Sequence, residues 1–298
     1  MRIQEIKLPF KTSIQLFVKR EDEIHPLISG NKFYKLKYNI LKAKELNSKI
    51  LVTFGGAFSN HILAVAAVGN ENDFKTFGII RGEELENNWQ ENPTLKRAVD
   101  LGMNLVFVDR EEYHLKDMGK TCKEILQQNS LVFVIPEGGT NEFAVEGTKE
   151  ILNTETIDFQ YICASVGTGG TLAGLSLAAD EKQEVIGFSA LKNGGFLVNE
   201  ILKFTPKQNF DVILDYHFGG YGKITAELIS FMNEFYSQNS IPLDAIYTGK
   251  MMFGVFDLIQ NSYFKENSKI LVIHTGGLQG NEGMKTIIKS KIKIDLIY

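Results

Sequence analysis

Nine short runs of β-branched and aromatic residues recur along the chain, and most are continuous rather than alternating. They are IQLFVK (14–19), KILVTF (49–54), KTFGII (75–80), NLVFV (104–108), LVFVI (131–135), YICAS (161–165), EVIGFSA (184–190), VILDY (212–216) and KILVIH (269–274). A strand wetted on one face alternates apolar and polar side chains, whereas a strand covered on both faces can be apolar throughout, as in a parallel sheet. Between the runs lie stretches of helical period, such as Lys32–Leu46, where Phe33, Leu36, Ile40 and Leu41 recur at helical spacing. Strands alternating with helices predict an α/β fold of doubly wound, mostly parallel sheets. The 298 residues suffice for two such units.

Composition narrows the function. A net charge of −4 and a hydrophobic fraction of 44% are ordinary for a globular protein and give no footing for nucleic acid or a membrane surface. No segment approaches the roughly 20 apolar residues that span a bilayer. The start, MRIQEIKLPFK, lacks the apolar core of a signal peptide, so a cytoplasmic protein is expected. Cys122 and Cys163 are too isolated for a disulfide framework or a zinc site. The histidines (His25, His61, His114, His217, His274) show no H-E-x-x-H spacing, and no metal is expected. A G-x-S-x-G nucleophile elbow is also missing.

Glycines cluster just after several strands: Gly55-Gly56, Gly138-Gly139, Gly167-Thr168-Gly169-Gly170 and Gly276-Gly277. The carboxyl ends of parallel strands are where such folds bind ligands. The third cluster carries most information, because a small-residue helix follows it directly. Backbone N–H groups freed at that helix start, with the helix dipole, make an anion site suited to phosphate, and Thr168 and Thr171 can add hydroxyl donors. A dinucleotide fingerprint would need glycine where Leu172 stands, and a P-loop would need lysine where Leu175 stands, so both nucleotide readings are weak.

Two further segments stand beside it. In Leu27-Ile-Ser-Gly-Asn-Lys-Phe-Tyr-Lys, Lys32 and Lys35 are three apart and share a helix face, and Gly30 and Asn31 suit a turn and an N-cap. In Phe54-Gly-Gly-Ala-Phe-Ser-Asn-His, a strand opens into glycines and then Ser59, Asn60 and His61 at a helix start. Taken alone, solvated lysines and ordinary N-capping explain both segments.

Together these segments resemble the fold-type II pyridoxal-phosphate enzymes related to the tryptophan synthase β subunit. The resemblance is nearest to the branch containing 1-aminocyclopropane-1-carboxylate (ACC) deaminase and D-cysteine desulfhydrase. Ser29-Gly-Asn-Lys-Phe-Tyr-Lys-Leu is similar to that branch's G-N-K-x-x-K-L segment, Ser59-Asn60-His61 to its S-N-H/Q segment, and Val166–Thr171 to its phosphate loop. Pro136-Glu-Gly-Gly139, Gly220-Tyr-Gly222, Tyr247-Thr-Gly-Lys-Met251 and His274-Thr-Gly-Gly277 continue the match in the same order. The resemblance implies that Lys32 forms the aldimine with pyridoxal 5′-phosphate and that Lys35 approaches its phosphate. It implies that Gly167, Thr168, Gly169, Gly170 and Thr171 hold that phosphate, and that Asn60 meets the ring oxygen. Ser59, Tyr221 and Tyr247 would face the substrate, with Thr248 and Thr275 near the pyridine ring. It further implies a homodimer acting on a small amino acid. Residues 1–36 and 145–298 would form a larger domain, residues 37–144 a smaller one, with the cofactor in the cleft between.

As aligned with the family, ACC deaminases carry glutamate and leucine where Thr248 and Thr275 stand, whereas desulfhydrase-like members carry hydroxyl residues. A neutral hydroxyl does not favour a protonated pyridine nitrogen, which suits elimination of a good leaving group better than opening of a cyclopropane ring. The expected activity is therefore D-cysteine desulfhydration, with ACC deamination as the alternative. Phe58 and Leu63 stand where the family usually has glutamine and arginine, and they motivate a third reading, a cofactor-binding protein without turnover.

Overall fold

The computed structural model describes the backbone of residues 1–298 and all side chains except those at 286, 287, 290 and 291. In chain order, β1 (Ile3–Glu5), β2 (Gln15–Lys19), α1 (Asn31–Glu45), β3 (Ile50–Gly55), α2 (Asn60–Glu71), β4 (Lys75–Arg81), α3 (Pro93–Asp100) and β5 (Met103–Val108) come first. They are followed by α4 (Arg110–Leu115), α5 (Lys120–Gln128), β6 (Val132–Val134) and α6 (Glu142–Lys149). The second half runs β7 (Tyr161–Val166), α7 (Gly170–Ala178), β8 (Glu184–Ser189), α8 (Leu197–Leu202), β9 (Phe210–Ile213), α9 (Ala226–Asn239), α10 (Thr248–Gln260), β10 (Lys269–Ile273) and α11 (Gln279–Ile287).

The strands make two sheets. One has six strands in the order β1-β2-β10-β7-β8-β9, the other four in the order β5-β4-β3-β6. Every pairing is parallel except β1 with β2. The α/β expectation with mostly parallel sheets is met, and the burial explains why the strands read as continuous apolar runs. Cys163, Ile186 and Val272 enter a core with α9 and α10, while their neighbours Ile162, Val185 and Leu271 enter a second core with α7. The smaller sheet repeats this: Leu51 packs with α1 and α2, whereas Ile50 and Val52 pack with α4 and α5. With helices on both faces, alternation of side chains no longer means alternation of polarity.

Three details depart from the sequence reading. Strand β1 was not expected; at three residues it is too short to carry a period, and it forms by antiparallel pairing of Ile3–Glu5 with Phe17–Lys19. Strand β9 ends at Ile213 rather than continuing through Tyr216. On α1, Leu36 and Ile40 are buried as expected, but Phe33 and Leu41 are exposed, and Tyr34 and Ala43 take the inner positions.

Helix α1 belongs to both cores: Tyr34 packs beneath the larger sheet, and Leu36, Ile40 and Ala43 pack beneath the smaller one. Positions 36/37 and 144/145, the expected domain limits, fall inside α1 and α6. These two helices cross so closely that a Cβ at Gly147 would stand 2.0 Å from the carbonyl oxygen of Tyr34. Helix α10 starts on a buried carboxylate. Asp244 accepts from the backbone N–H of Ile246 (3.0 Å), Tyr247 (2.8 Å) and Thr248 (2.9 Å) and from the Thr248 hydroxyl (2.7 Å). Among the described residues, no helix is long and apolar enough to cross a membrane.

Helix propensity alone would make Gly147→Ala stabilising by about 1 kcal/mol. Because the new methyl meets backbone rather than a movable side chain, we expect instead a loss of about 2–3 kcal/mol in urea unfolding. Asp244→Ala would strand three amide donors and a hydroxyl, and its loss should be about 2–4 kcal/mol by the same measurement.

Candidate active site

A cavity of about 420 Å³ opens where the carboxyl ends of β3, β4, β7 and β10 converge. Its wall is built from the turns that follow those strands and from the first turns of α1 and α2.

Helix α1 enters through Gly30, whose backbone (φ 60°, ψ −137°) takes the N-cap position without a side-chain cap. The expected N-cap asparagine is instead the first helical residue, and the Asn31 amide donates to Thr171 Oγ1 at 2.9 Å. Lys32 therefore leaves the first turn of α1 at the cavity wall, its amine donating to Asn31 Oδ1 at 3.0 Å. Burial lowers this amine to about 8, against an opposing pull from Asp244. One turn on, the Lys35 amine donates to the Gly138 carbonyl (3.0 Å), Thr140 Oγ1 (2.9 Å) and Thr168 Oγ1 (3.5 Å). It is held well below the usual lysine range by burial, and next by Lys32.

After β7, Gly169 adopts a left-handed conformation (φ 85°) and delivers the chain to α7, whose first turn has no side-chain cap. Gly167, Thr168, Gly169 and Thr171 line the cavity. Gly170 does not; it starts α7 behind the wall, where a Cβ would meet the Thr140 side chain at 2.8 Å. Uncapped N–H groups, two threonine hydroxyls and the Lys35 amine form a donor set for a phosphate.

Ser59 caps α2, accepting from the Ile62 N–H at 3.3 Å, and Asn60 and His61 follow it at the wall. The Thr53 hydroxyl gives its proton to the Ile135 carbonyl (2.9 Å), so its 2.8 Å contact with His61 Nε2 is a donation from the ring. His61 is thus neutral with the proton on Nε2, and burial holds it well below the usual histidine range. His61 Nδ1 and Asn60 Oδ1 are buried without partners among the described residues. Buried polar atoms left open at a cavity wall fit a polar guest, and with the phosphate donors they fit pyridoxal phosphate.

Opposite, Tyr247 stands at the N-cap of α10, and a Cβ on Gly167 would touch its ring at 3.2 Å. Tyr221 meets Tyr247 edge-on, with ring centroids 6.0 Å apart. Burial pushes both phenols up, Tyr247 further. Thr275 lines the floor, its hydroxyl 3.1 Å from that of Ser165. Thr248 is not with it. Its hydroxyl is turned to Asp244 and fully buried, as the start of α10 requires. Phe58 and Leu63 are not at the wall either: Phe58 packs where a Cβ on Gly283 would stand, and Leu63 is buried.

Several lining residues escaped the sequence reading. Arg81 ends β4 beside Gly56, its guanidinium 5.6 Å from the centre of the Tyr113 ring. Glu137 joins Tyr113 (2.5 Å) and Lys116 (3.0 Å). The strand-end rule that singled out the glycine turns could have found Arg81; nothing local marked Ser165 or the buried Asp244.

A family model described as pyridoxal-phosphate dependent enzyme matches residues 6–276. A protein of Thermotoga maritima provisionally named 1-aminocyclopropane-1-carboxylate deaminase is 31% identical, the match covering 92% of each chain. The Arabidopsis thaliana protein named bifunctional D-cysteine desulfhydrase/1-aminocyclopropane-1-carboxylate deaminase, mitochondrial, is 29% identical over 89% of this chain and 73% of its own. A crystal structure of an ACC deaminase homologue superposes with a TM-score of 0.79 at 27% identity, covering 94% of this chain and 90% of that one. The family match takes in every cavity-lining residue but the last, Gly277, so the chain belongs to the pyridoxal-phosphate dependent enzymes, and pyridoxal phosphate is its cofactor.

Proposed function

We propose that this chain is a lyase acting on a small amino acid, and that its substrate is D-cysteine. The products are pyruvate, hydrogen sulfide and ammonia, with uptake of one water. The observation that carries this choice is the pair of neutral hydroxyls on the cavity floor, Ser165 and Thr275, at 3.1 Å. Thr248, which sequence reasoning counted with Thr275, contributes only through Asp244.

In this reading Lys35, Thr168, Thr171 and the start of α7 would hold the cofactor phosphate. Lys32 would hold its aldehyde end, the Asn60 amide its ring oxygen, and Thr275 with Ser165 its ring nitrogen. When bound, pyridoxal phosphate supplies a sink for the electron pair left at the substrate α-carbon. Neutral hydroxyls at that place would not keep a ring nitrogen protonated, which would suit expulsion of thiolate better than opening of a cyclopropane. Lys32 removes the α-proton; its lowered basicity leaves a usable fraction of free amine near neutral pH. Ser59 binds the substrate carboxylate, and Arg81, with no carboxylate partner among the described residues, adds positive charge beside it. The Tyr221 and Tyr247 hydroxyls, neutral as phenols are near pH 7, stand at the wall where one of them can give a proton to the departing sulfur. The homodimer implied by the family resemblance and the cytoplasmic location expected from the composition belong to the same proposal.

The second reading, deamination of ACC to 2-oxobutyrate, is favoured by the name of the Thermotoga relative, while the Arabidopsis name carries both activities. The third, binding without turnover, rests on Phe58 and Leu63, neither of which lines the cavity.

Incubation of the purified protein with D-cysteine, L-cysteine and ACC separates these readings. Sulfide and pyruvate from D-cysteine are expected; 2-oxobutyrate from ACC without sulfide from D-cysteine would overturn the choice. Lys32→Ala should lose the native cofactor absorption band, and a band persisting unchanged would sink the role given to Lys32. Lys35→Met removes the ammonium at the phosphate end and should weaken cofactor affinity by about tenfold or more in a fluorescence titration, with little change in fold stability.

A further inference from the structure

Between β9 and α9, residues 214–225 form an irregular strap that carries Tyr221 to the cavity. Four of its residues take left-handed backbone conformations: Phe218 (φ 53°), Gly219 (95°), Gly220 (116°) and Gly222 (67°). Such a segment has neither helix nor sheet to fix it, so something else must hold it in place. That support comes from one face of α10. Asp257 accepts from the Tyr216 hydroxyl at 2.6 Å, and Phe253 meets the Phe218 ring edge-on at 5.0 Å. Gly254 leaves room for the Tyr216 ring, which a Cβ there would touch at 2.7 Å. Nearest the cavity, one turn after Tyr247, stands Lys250.

Lys250 is 2% exposed, and its amine donates to the carbonyls of His217 (2.9 Å) and Gly220 (2.8 Å). The same two carbonyls close the strap's turns, accepting from the N–H of Gly220 and of Lys223. No carboxylate lies within ion-pair distance of Lys250 among the described residues, and burial lowers its basicity to about 8. A methionine of similar length would fill the space without desolvating an amine. What only the amine can do is bind two backbone oxygens at once.

We propose that Lys250 is a positioning residue for the elimination: from inside the fold it fixes the strap so that Tyr221 stands against Tyr247 at the cavity wall. It touches neither the cavity nor the cofactor's donors, and it acts only through Tyr221. The kinetic part of this inference rests on the role proposed for Tyr221; the anchoring part does not.

Both parts are testable on the cofactor-loaded enzyme with Lys250→Met, Lys250→Gln, Tyr221→Phe and the Lys250→Met/Tyr221→Phe double variant. Trypsin cleavage after exposed Lys223 reads the strap directly and should be at least about tenfold faster in Lys250→Met, with cofactor loading and absorption unchanged. The kcat for sulfide release should fall by about ten- to a hundredfold, with KM within about threefold. The double variant should be no slower than Tyr221→Phe alone, because both changes remove one function. If Lys250→Met does not fold, Lys250→Gln, which can still reach one carbonyl, should give smaller changes in the same direction. Unchanged cleavage and kcat would overturn the proposal, as would losses that multiply in the double variant. Wild-type enzyme that releases no sulfide from D-cysteine would refute the substrate reading alone, and the cleavage comparison would still decide the anchoring.

Discussion

The turn Thr275–Gly277 after β10 is packed so tightly against the starts of α1 and α2 that it sets where the reactive side chains stand. A Cβ on Gly30 would be 2.0 Å from the Thr275 carbonyl oxygen, one on Gly276 2.6 Å from Ser29 Oγ, and one on Gly277 2.8 Å from the Asn60 amide nitrogen. The start of α1, the start of α2 and the end of the larger sheet therefore share one set of van der Waals contacts. No side chain larger than hydrogen fits at any of the three glycines without displacing the residues next to Lys32 or Asn60. Because Gly30, Gly276 and Gly277 all have positive φ (60°, 78° and 95°), any other residue would add backbone strain to the clash. Lys32 is aimed by backbone geometry before its own side chain makes any contact.

The charges follow from that geometry. Lys32 and Lys35 face one cavity from successive turns of one helix, and burial disfavours the protonated form of each. Lys35 is held by a carbonyl and two hydroxyls, all neutral, so its positive charge is left for a bound anion. His61, fixed as the Nε2–H tautomer by Thr53, adds no third charge. A phosphate at the start of α7 would answer both the amines and the uncapped helix end. The cavity is thus electrostatically incomplete by itself, and the cofactor's negative end supplies what is missing.

The fold was legible because two-sided burial writes itself as continuous apolar runs, and all nine found a strand. What escaped was written in tertiary contact. Strand β1 owes its existence to pairing with β2, and the inner face of α1 includes Tyr34 because α6 crosses its backbone closely at Gly147 and Ala43 because it packs in the core of the smaller sheet. The glycine turns and the two lysines were legible, since strand ends and helix spacing are local properties. The family resemblance places Thr248 beside Thr275 near the pyridine ring, but the structure turns it away. Both are hydroxyls next to a motif residue, but only the position of Asp244, four residues upstream and marked by nothing in the sequence, decides that Thr248 turns inward. Arg81 lies one residue beyond the apolar run 75–80, where no pair of glycines marks the strand end.

Two buried lysines behind the wall show the same solution to the same difficulty. Gly-rich segments at the cavity can adopt the needed shapes, but their carbonyls lack helical or sheet partners, and their flexibility works against precise placement. Behind the turn that carries Lys32, Lys19 pairs with Glu21 at 3.1 Å and donates to the Ile151 carbonyl. Glu21 in turn accepts from the Tyr34 hydroxyl, and its backbone carbonyl accepts from the Gly30 N–H at 3.0 Å. Behind the strap that carries Tyr221, Lys250 binds two carbonyls directly. An ammonium group suits this task because it offers three donors at the end of a long apolar stem, so it reaches irregular backbone from a regular element. Burying it is unfavourable unless its partners stay in place, and that penalty is what resists movement of the partners. Rigidity at the wall then comes from the sheet and helix behind it, and the turns themselves can stay rich in glycine.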